Sequence, residues 1–400
     1  MSGLISVSDA LKIIEAHRPE TGLETIALEH AQGRRLATPI ISKRTHPPAA
    51  MSAMDGYAVK LNDVRTQNVR LRVIGEAPAG SPFQGALQSG QAVRVFTGSV
   101  VPDGADHIVI QENAQRDGNE LLSEQAYDKA LHIRAAGLDF SEGDELISSD
   151  TVITAPHLSV IAASNHAEVS VHRKLRVGVL SNGDELKPPG SDLRPGEIVN
   201  SNPFTLSALI KSWGADPIDL GVAGDRVEDI ISVLDQAEDI DVFVPVGGAS
   251  VGDHDHMQTA FAMRGFEPVF SKIAVRPGKP TWFSQSNQSV VLGLPGNPAS
   301  ALVCAHLFLS PLLGAPWRGR LTHGTLAHSI SANGPREHFM RAQASLTRDG
   351  GVSITPHTNQ DSSLLRPFLA CNALLRRAPN TEALKAGSVA EVVLIGQLQT

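Results

Sequence analysis

The residues best suited to chemistry lie between Asp241 and Ala301, on two loops that each follow an apolar run. The runs Asp241–Val246 and Ser289–Leu294 both lead into a glycine-containing loop and then a helical pattern, which predicts strand, loop and helix twice. In an open α/β sheet, ligands bind beyond the carboxyl ends of the strands, where such loops gather. Glycines let the backbone approach a ligand and turn its N–H groups toward an anion. The first loop supplies Gly247, Gly248 and Gly252.

Charged residues of both signs accompany these loops. The acids that follow predicted strands are Asp184, Glu185, Asp225, Asp253 and Asp255, and the bases are Lys272, Arg276 and Lys279. Two like charges 4 Å apart repel by about 4 kcal/mol at an effective dielectric constant of about 20. The acids could therefore share one crevice only with cations between them. This pattern predicts a phosphorylated or oxyanionic ligand that binds together with Mg²⁺.

The run DHDH, from Asp253 to His256, could hold a metal ion through either of two pairs. Adjacent residues of an extended chain point to opposite faces, so Asp253 acts with Asp255, or His254 acts with His256. Carboxylate oxygens are the ligands that Mg²⁺ prefers. We favour the two aspartates as Mg²⁺ ligands and expect the histidines to be solvated.

The loop GGASVGD also contains a G-x-S-x-G pattern around Ser250, which is typical of the nucleophile elbow of α/β-hydrolases. That elbow needs the serine at a tight turn from strand to helix, whereas here the loop continues through Asp253 and Asp255. A loop that cradles phosphate fits the sequence better, and a serine hydrolase stays open as an alternative.

The segment PGNPAS, Pro295 to Ser300, predicts a rigid turn into a helix. Asn297 is suited to the N-cap position and Pro298 to the first helical turn. Simple capping explains this pattern, but its place beside the other loops makes anion contact by Pro295, Gly296, Asn297 and Pro298 a reasonable hypothesis. The chain contains no Walker A motif and no Rossmann G-x-G-x-x-G, so the common nucleotide-binding folds are disfavoured.

The order of strand and helix patterns predicts an α/β multidomain protein. Short β-like runs fill residues 69–140, strands and helices alternate from Lys174 onward, and short β-like runs return after Leu321. The alternation predicts a parallel, doubly wound sheet. The predicted regions are an N-terminal α+β linker domain (1–44 with 139–173), an inserted β-rich domain (45–138), an α/β domain (174–320) and a C-terminal β-rich domain (321–400).

The composition excludes several classes of protein. The chain has 400 residues, 42% of them hydrophobic and 19% charged, which is typical of a globular multidomain protein. A net charge of −8 argues against a nucleic-acid partner, because that binding needs clustered Lys and Arg. Two cysteines cannot form a disulfide framework or a cysteine-rich zinc site. Neither a secretory signal nor a membrane span is recognisable, so we expect a cytoplasmic protein.

Six motifs together resemble the molybdopterin molybdenumtransferase family, of the MoeA/gephyrin E-domain type. They occur in the family's order and extend over nearly the whole chain. The motifs are SAMDGYAV (52–59), FTGSVVPDGAD (96–106), SNGDEL (181–186), GGASVGDHD (247–255), RPGKP (276–280) and GLPGNPAS (293–300). The resemblance implies four domains, with a MoaB/MogA-like α/β domain that binds molybdopterin, in a homodimer.

The resemblance also implies a reaction: molybdate and adenylylated molybdopterin, with Mg²⁺, give the molybdenum cofactor and AMP. It implies catalytic roles for Asp55, Thr97, Glu185, Asp225, Asp255, Lys272, Arg276 and Lys279. Of these, Glu185, Asp225 and Asp255 are the implied Mg²⁺ ligands. The implied cofactor-binding residues are Gly247, Gly248, Ser250, Gly252, Asp253, Pro295, Gly296, Asn297, Pro298, Arg341 and Ser362, the last two as molybdate contacts.

The implied partners are a molybdopterin adenylyltransferase and the chaperones of molybdoenzymes, with no nucleic acid and no membrane. Four positions depart from the family pattern: Asn182 replaces Thr, Ala249 replaces Val, Arg276 stands where Lys is frequent, and His338 replaces an acid. An alternative consistent with the resemblance is a pterin-binding scaffold without turnover. The retained acids argue against that alternative.

Overall fold

The computed structural model describes residues 4–247, 256–315 and 320–399. The chain forms two compact units, residues 23–172 (the smaller unit) and residues 1–22 with 173–400 (the larger unit). Across the described residues the α-helices are α1 Val7–Ala16, α2 Ala155–Ala163, α3 Asn202–Ser212, α4 Val227–Gln236, α5 His256–Met263, α6 Pro298–Cys304 and α7 Ser310–Leu312. A π-helical turn, Ala305–Leu309, joins α6 to α7. None of the described helices is both long and apolar enough to cross a membrane.

The smaller unit is rich in β-structure. Its strands are β1 Leu23–Ala27, β2 Ile40–Ile41, β3 Met51–Ser52, β4 Gly56–Val59, β5 Val69–Ala77, β6 Gln91–Val95, β7 His107–Ile110, β8 Ala114–Asp117, β9 Glu120–Ser123, β10 Ile133–Arg134, β11 Glu145–Ile147 and β12 Glu168–His172. Six of them form one sheet in the order β7-β4-β6-β5-β9-β8, and the others pair two by two. The short β-like runs predicted between residues 69 and 140 are thus strands.

The larger unit contains an α/β sheet and a β-barrel. Its strands are β13 Arg176–Asn182, β14 Leu186–Lys187, β15 Ile198–Val199, β16 Asp216–Ala223, β17 Val242–Val246, β18 Glu267–Phe270, β19 Val275–Arg276, β20 Trp282–Gln285, β21 Val290–Gly293, β22 Leu321–Leu326, β23 Glu337–Leu346, β24 Val352–Pro356, β25 Ala373–Arg377 and β26 Val389–Leu394. The α/β sheet has the order β16-β13-β17-β21-β20-β18. The barrel sheet, β19-β23-β24-β22-β26-β25, closes because β23 also pairs with β25.

The central strand β17 shows why both faces of the α/β sheet are covered. Val242, Val244 and Val246 lie in a core shared with α1, α3 and α6, whereas Phe243 lies in a second core shared with α4 and α5. Successive side chains of a strand point to opposite faces, so a continuous apolar run needs a layer of helices on each side. The predicted doubly wound α/β fold is confirmed.

The sheet is mixed rather than entirely parallel. Strands β13, β16, β17 and β21 are parallel, as predicted, but β20 is antiparallel to both β21 and β18. Only four residues connect Gln285 to Val290, and Ser286 and Ser289 close that turn with a 2.8 Å backbone hydrogen bond. So short a connection makes a hairpin, because a parallel crossover needs a dozen or more residues.

Helix α1 illustrates how the sequence pattern becomes packing. The hydroxyl of Ser6 accepts a 3.0 Å hydrogen bond from the N–H of Asp9 and caps the helix. Val7, Leu11 and Ile14 are buried in the core of the larger unit.

The predicted four-domain division stays a prediction.

Candidate active site

Three loops of the larger unit meet at glycine positions at one edge of the α/β sheet. Strands β13, β17 and β21 are parallel neighbours, so their carboxyl ends lie together. Gly247 has a φ of 106°, and a Cβ there would lie 2.6 Å from the carbonyl oxygen of Asn182. A Cβ on Gly296 would lie 3.3 Å from the Cα of Gly247. At Gly247 the left-handed φ and the close approach both require glycine.

The predicted acids of two neighbouring loops come together at the same edge. The N–H of Asp184 lies 3.5 Å from Oδ2 of Asp225, which joins the loop after β13 to the loop after β16. The carboxylate of Glu185 folds over Gly183, where a Cβ would lie 2.5 Å from Oε2. All three acidic residues are exposed, so their carboxylates can reach a ligand.

The donor chemistry of this edge fits a hard divalent cation. Carboxylate oxygens are the groups that Mg²⁺ takes from proteins, usually one or two of them together with phosphate oxygens. Glu185 and Asp225 provide such oxygens, and the third predicted ligand, Asp255, lies outside the described residues. No group of three or more His, Cys, Asp or Glu side chains suited to a metal occurs in the described part of the chain.

The turn PGNPAS is held by the C-terminal barrel rather than by its own cap. Asn297 occupies the N-cap position of α6, but its side-chain amide donates a 3.1 Å hydrogen bond to the hydroxyl of Ser362. The N–H of Ala299 donates a 3.1 Å bond to the carbonyl of Ser362. From the other side, Asn202 donates to the carbonyl of Gly296 at 3.0 Å. Ser362, predicted from the C-terminal region, thus lies directly on this turn.

Arg341 holds the loop that carries Ser362. Its side chain is 2% exposed, and its guanidinium donates to the carbonyls of Asn359 (3.2 Å), Asp361 (2.7 Å) and Leu364 (2.7 Å). The guanidinium also lies 5.5 Å from the ring centre of Phe368. In this structure, therefore, Arg341 fixes the shape of the loop, and its predicted contact with molybdate stays a prediction.

Replacing Arg341 with Lys is expected to lower the free energy of unfolding by about 2 kcal/mol, because an ammonium group cannot reach three carbonyls spread over six residues. Hydrogen exchange should become faster in residues 357–364. The matched control is Arg366→Lys, an exposed arginine just beyond the loop. Unchanged stability and exchange in the Arg341 variant would show that the loop holds its shape without the guanidinium.

One of the predicted basic residues, Arg276, borders a cleft beside the barrel. Arg276 ends β19 and pairs in register with His338 of β23, and both line a cleft of about 470 Å³. The Arg276 side chain is exposed and makes no ion pair with any described residue. The carbonyls of Lys272 and Lys279 accept hydrogen bonds from Ile5 (3.2 Å) and Ile273 (3.0 Å), which fixes the backbone around Arg276.

Asp55 and Thr97 form a local pair within the smaller unit. The N–H and the hydroxyl of Thr97 donate to Oδ1 of Asp55 at 2.7 and 2.9 Å. These two bonds and, less strongly, the charge of Arg94 lower the pKa of Asp55. Arg94 lies 5.1 Å from the ring centre of Tyr57 and 5.0 Å from that of Phe96. Asp55 is therefore held as a carboxylate with one oxygen already bound.

Several predicted residues lie outside the described part of the chain. They are Gly248, Ser250, Gly252, Asp253 and Asp255, together with Ala249 and His254. His256, the last residue of the DHDH run, begins α5 and contacts the carbonyl of Asp225 through Nδ1. The assignments of all these site residues, described or not, stay predictions.

Sequence reasoning missed the polar groups that hold the loops. Asn182 is buried and donates to the carbonyl of Gly224 at 2.9 Å, and Asn200 donates to the hydroxyl of Ser181 at 2.9 Å. Asn182 ends β13 and Asn200 follows β15, and this position at the end of a strand was the available indication. The sequence also did not reveal Arg377, a buried lining residue of the cleft, because its role depends on the closure of the barrel.

Three family models match consecutive parts of the chain. They are the MoeA N-terminal region (domain I and II) at residues 5–165, a probable molybdopterin binding domain at 178–315, and the MoeA C-terminal region (domain IV) at 323–395. Together they cover both units and correspond to the order of the motifs.

Whole-chain relatives agree with these models. The "Molybdopterin molybdenumtransferase" of Haemophilus influenzae is 33% identical over 373 residues, which cover 91% of this chain and 92% of that protein. The Bacillus subtilis protein of the same name is 29% identical over 405 residues, which cover 98% and 94%. A crystal structure of a molybdopterin biosynthesis MoeA protein from Pyrococcus horikosii matches with a TM-score of 0.85 and 28% identity, covering 99% of this chain and 100% of that chain.

Proposed function

This chain belongs to the molybdopterin molybdenumtransferase family, and from that premise we propose that it inserts molybdenum from molybdate into adenylylated molybdopterin, releasing AMP. The observation that carries this proposal is the meeting of glycine loops and acids at one sheet edge, with Gly247 near Gly296 and Asp184 near Asp225. Such an edge suits a ligand that bears a pyrophosphate. The relatives are molybdopterin molybdenumtransferases, which favours a transferase over a serine hydrolase.

The glycine loop and the PGNP turn hold the phosphate end of the pterin. Because Gly247 has no Cβ, which would lie 2.6 Å from the carbonyl oxygen of Asn182, the loop can pack against β13 and turn its N–H groups toward phosphate oxygens. Asn297 and Ser362 keep the turn in place from the barrel side. The ligand is thereby positioned with its pyrophosphate over the acids.

Mg²⁺ would be held by Glu185 and Asp225, with Asp255 as the third predicted ligand, and would polarise the phosphoryl oxygens as a Lewis acid. The three bases Lys272, Arg276 and Lys279 attract molybdate, a dianion. Asp55, for which the resemblance implies a catalytic role, is kept ionised within the smaller unit by its hydrogen bonds from Thr97. A water molecule cleaves the phosphoanhydride bond and AMP leaves. The two dithiolene sulfurs displace one oxygen of molybdate, which leaves as water with the two thiol protons, so molybdenum keeps its oxidation state.

The finer parts of the proposal rest on the resemblance. They are the dependence on Mg²⁺, the homodimer, the cytoplasmic location, and the partners that deliver the adenylylated pterin and receive the product. The four-domain division and the roles of the individual residues also belong to the proposal.

The test is AMP release from adenylylated molybdopterin by the purified protein, with and without molybdate and with and without Mg²⁺. We expect release only when both are present. Tight binding of the pterin without release would replace this proposal with a scaffold. Absence of binding, together with labelling of Ser250 by a fluorophosphonate, would replace it with a hydrolase.

A further inference from the structure

Asn182 is a buried polar residue at the edge of the sheet where the candidate site lies. It is the last residue of β13, the strand that separates β16 from β17, and it is 7% exposed. Ala223 of β16 pairs with it in register, and Val246 of β17 pairs with the preceding residue, Ser181. A buried amide needs hydrogen-bond partners, so the partners of this side chain show what it holds in place.

The side chain of Asn182 holds the turn that carries Asp225. Its Nδ2 donates to the carbonyl of Gly224 at 2.9 Å and lies 3.4 Å from the carbonyl oxygen of Ala223. Both neighbours are acceptors, so the NH₂ end of the amide faces them. The pairing of β13 with β16 ends at Ala223, and the amide therefore holds the chain one residue beyond the strand, directly before Asp225.

Few other contacts position Asp225. The carbonyl of Gly224 accepts no further hydrogen bond from the described residues. The carboxylate of Asp225 is exposed, and its described contact is the N–H of Asp184 at 3.5 Å, which is the limit of a hydrogen bond. The carbonyl of Asp225 contacts Nδ1 of His256. Two consecutive backbone carbonyls thus fix the turn, and Asn182 holds the first of them.

The backbone of Asn182 borders the glycine loop as well. A Cβ on Gly247 would lie 2.6 Å from the carbonyl oxygen of Asn182. The same residue therefore contacts the glycine loop through its main chain and the turn of Asp225 through its side chain. The spacing between the proposed phosphate loop and a proposed cation ligand depends on this residue.

A turn that is already in place binds a ligand more tightly than a turn that must be ordered on binding. When only a fraction of the molecules has the binding-competent arrangement, the apparent dissociation constant rises by the inverse of that fraction. Without the Asn182 amide, the carbonyl of Gly224 would keep no described protein partner, and the ligand itself would have to order Asp225. Loss of the amide should therefore appear as lost affinity for the cation.

We propose that Asn182 is a positioning residue whose amide fixes the turn that carries Asp225 and thereby sets the affinity of this chain for a divalent cation. This role rests on the proposed function for the assignment of Asp225 as a cation ligand. The family pattern has Thr at this position, and a hydroxyl also supplies a donor, with one hydrogen where the amide has two. A hydrogen-bond donor at position 182 is therefore what the role requires.

The experiment is a titration of the purified full-length chain with Mn²⁺, which takes the same oxygen ligands as Mg²⁺. Free Mn²⁺ is measured by electron paramagnetic resonance, without pterin, in the presence and absence of inorganic pyrophosphate. Asn182→Leu removes both donors at nearly the same size and should weaken Mn²⁺ binding by about tenfold or more. Asn182→Thr keeps a hydroxyl donor and should bind within about threefold of the parent chain. Asn182→Ala takes the place of the Leu variant, with the same expectation, if the Leu variant does not fold.

A double-mutant cycle tests whether Asn182 acts through Asp225. Asp225→Asn should itself weaken Mn²⁺ binding, because it removes a carboxylate ligand. In that background Asn182→Leu should change the affinity by less than about twofold, since the effects of two residues that act as one unit are not additive.

The matched control is Asn372→Leu in the barrel. Asn372 is likewise 7% exposed and donates to two backbone carbonyls, those of Ala344 at 2.8 Å and Gln397 at 2.7 Å. Loss of this amide should lower the melting temperature at least as much as loss of the Asn182 amide does. The affinity for Mn²⁺ should stay within about twofold of the parent chain, because Asn372 has no part in the turn of Asp225. The comparison separates lost stability from lost positioning.

Any of three results would overturn this role of Asn182. They are a parent chain that binds no Mn²⁺ under either condition, an Asn182→Leu variant that binds Mn²⁺ as tightly as the parent chain, and an equal loss of affinity in the Asp225→Asn background. A loss of about tenfold that requires Asp225, and that Asn182→Thr does not show, supports the role.

Failure of the proposed function would be a separate result. A parent chain that releases no AMP would refute that function and leave the Mn²⁺ measurements standing. If AMP is released, Asn182→Leu should raise the Mg²⁺ concentration for half-maximal rate by about tenfold and leave the rate at saturating Mg²⁺ within about threefold. An unchanged Mg²⁺ dependence would contradict the positioning role and leave the proposed function intact.

Discussion

Replacing Asp225 with Asn is expected to lower the rate of molybdate-dependent AMP release by about 100-fold or more, because it removes one carboxylate charge from the proposed Mg²⁺ site. The side chain is exposed, and its one described side-chain contact is the 3.5 Å approach of the Asp184 N–H to Oδ2. Stability should therefore change little, and the loss should lie in catalysis. The measurement is AMP release at saturating substrate over a range of Mg²⁺ concentrations, with the melting temperature as the check on folding.

The structure offers a matched control for this experiment. Asp229 lies beside Gly224, the residue that precedes Asp225. A Cβ on Gly224 would lie 2.7 Å from Asp229 Oδ2 and 3.3 Å from Asp184 Oδ1. Asp229, however, forms a two-point ion pair with Arg226 at 2.8 and 3.0 Å. Asp229→Asn removes the same charge from the first turn of α4, which follows that loop, and should leave the rate within about threefold, since exposed pairs contribute little. Equal losses in both variants would mean that only the local charge matters and would refute the ligand role of Asp225.

Lowering the pH from 6.5 to 4 is expected to destabilise both units, because each contains a buried neutral histidine. Burial lowers the pKa of His107 in the smaller unit to about 4, and that of His306 in the larger unit to about 3. Each imidazole leaves one nitrogen buried without a described partner, Nε2 of His107 and Nδ1 of His306. Protonation of either ring would therefore bury a positive charge beside a nitrogen that has no described hydrogen-bond partner.

The sign follows from proton linkage. A histidine with a lowered folded-state pKa binds fewer protons when folded than when unfolded, so stability rises with pH between the two values. For His107, the stability present above pH 6.5 is lost as the pH falls to about 4 and falls no further below it. The difference between 6.5 and about 4 corresponds to about 3 kcal/mol.

The aromatic residues allow the two units to be followed separately. Both tyrosines, Tyr57 and Tyr127, belong to the smaller unit, and all three tryptophans belong to the larger one. Denaturant unfolding should be recorded at several pH values by tyrosine and tryptophan fluorescence. His107→Gln retains an acceptor for the N–H of Leu131, which His107 Nδ1 binds at 3.1 Å.

The His107→Gln variant should show a flatter pH dependence of the free energy of unfolding in the smaller unit alone. The carboxylates titrate equally in the variant and in the parent chain, so the difference between the two isolates the contribution of the histidine. A parent chain and a His107→Gln variant with the same slope between pH 6.5 and 4 would show that the imidazole does not titrate in this way.

Much of the architecture could be predicted from local pattern, because burial repeats with the period of each element. The apolar run before Gly247 predicted a strand, and the alternation of strands and helices from Lys174 onward predicted a doubly wound sheet. Glu185 and Asp225 could be identified as candidate site acids because each follows a strand, and the ends of parallel strands meet at one edge.

Only the tertiary structure decided the strand directions of the sheet, the contacts between distant segments and the hydrogen-bond partners of buried side chains. The hairpin at Ser286 made the sheet mixed, and the approach of Ser362 to Asn297 joined two segments separated by 65 residues. Arg341 and His338 lie three residues apart on one strand. The guanidinium of Arg341 is saturated by loop carbonyls, whereas His338 lines a cleft and its ring nitrogens bond to no described residue. Sequence determines which groups are available, but hydrogen-bond saturation and the burial of charge depend on neighbours that only the folded chain brings together.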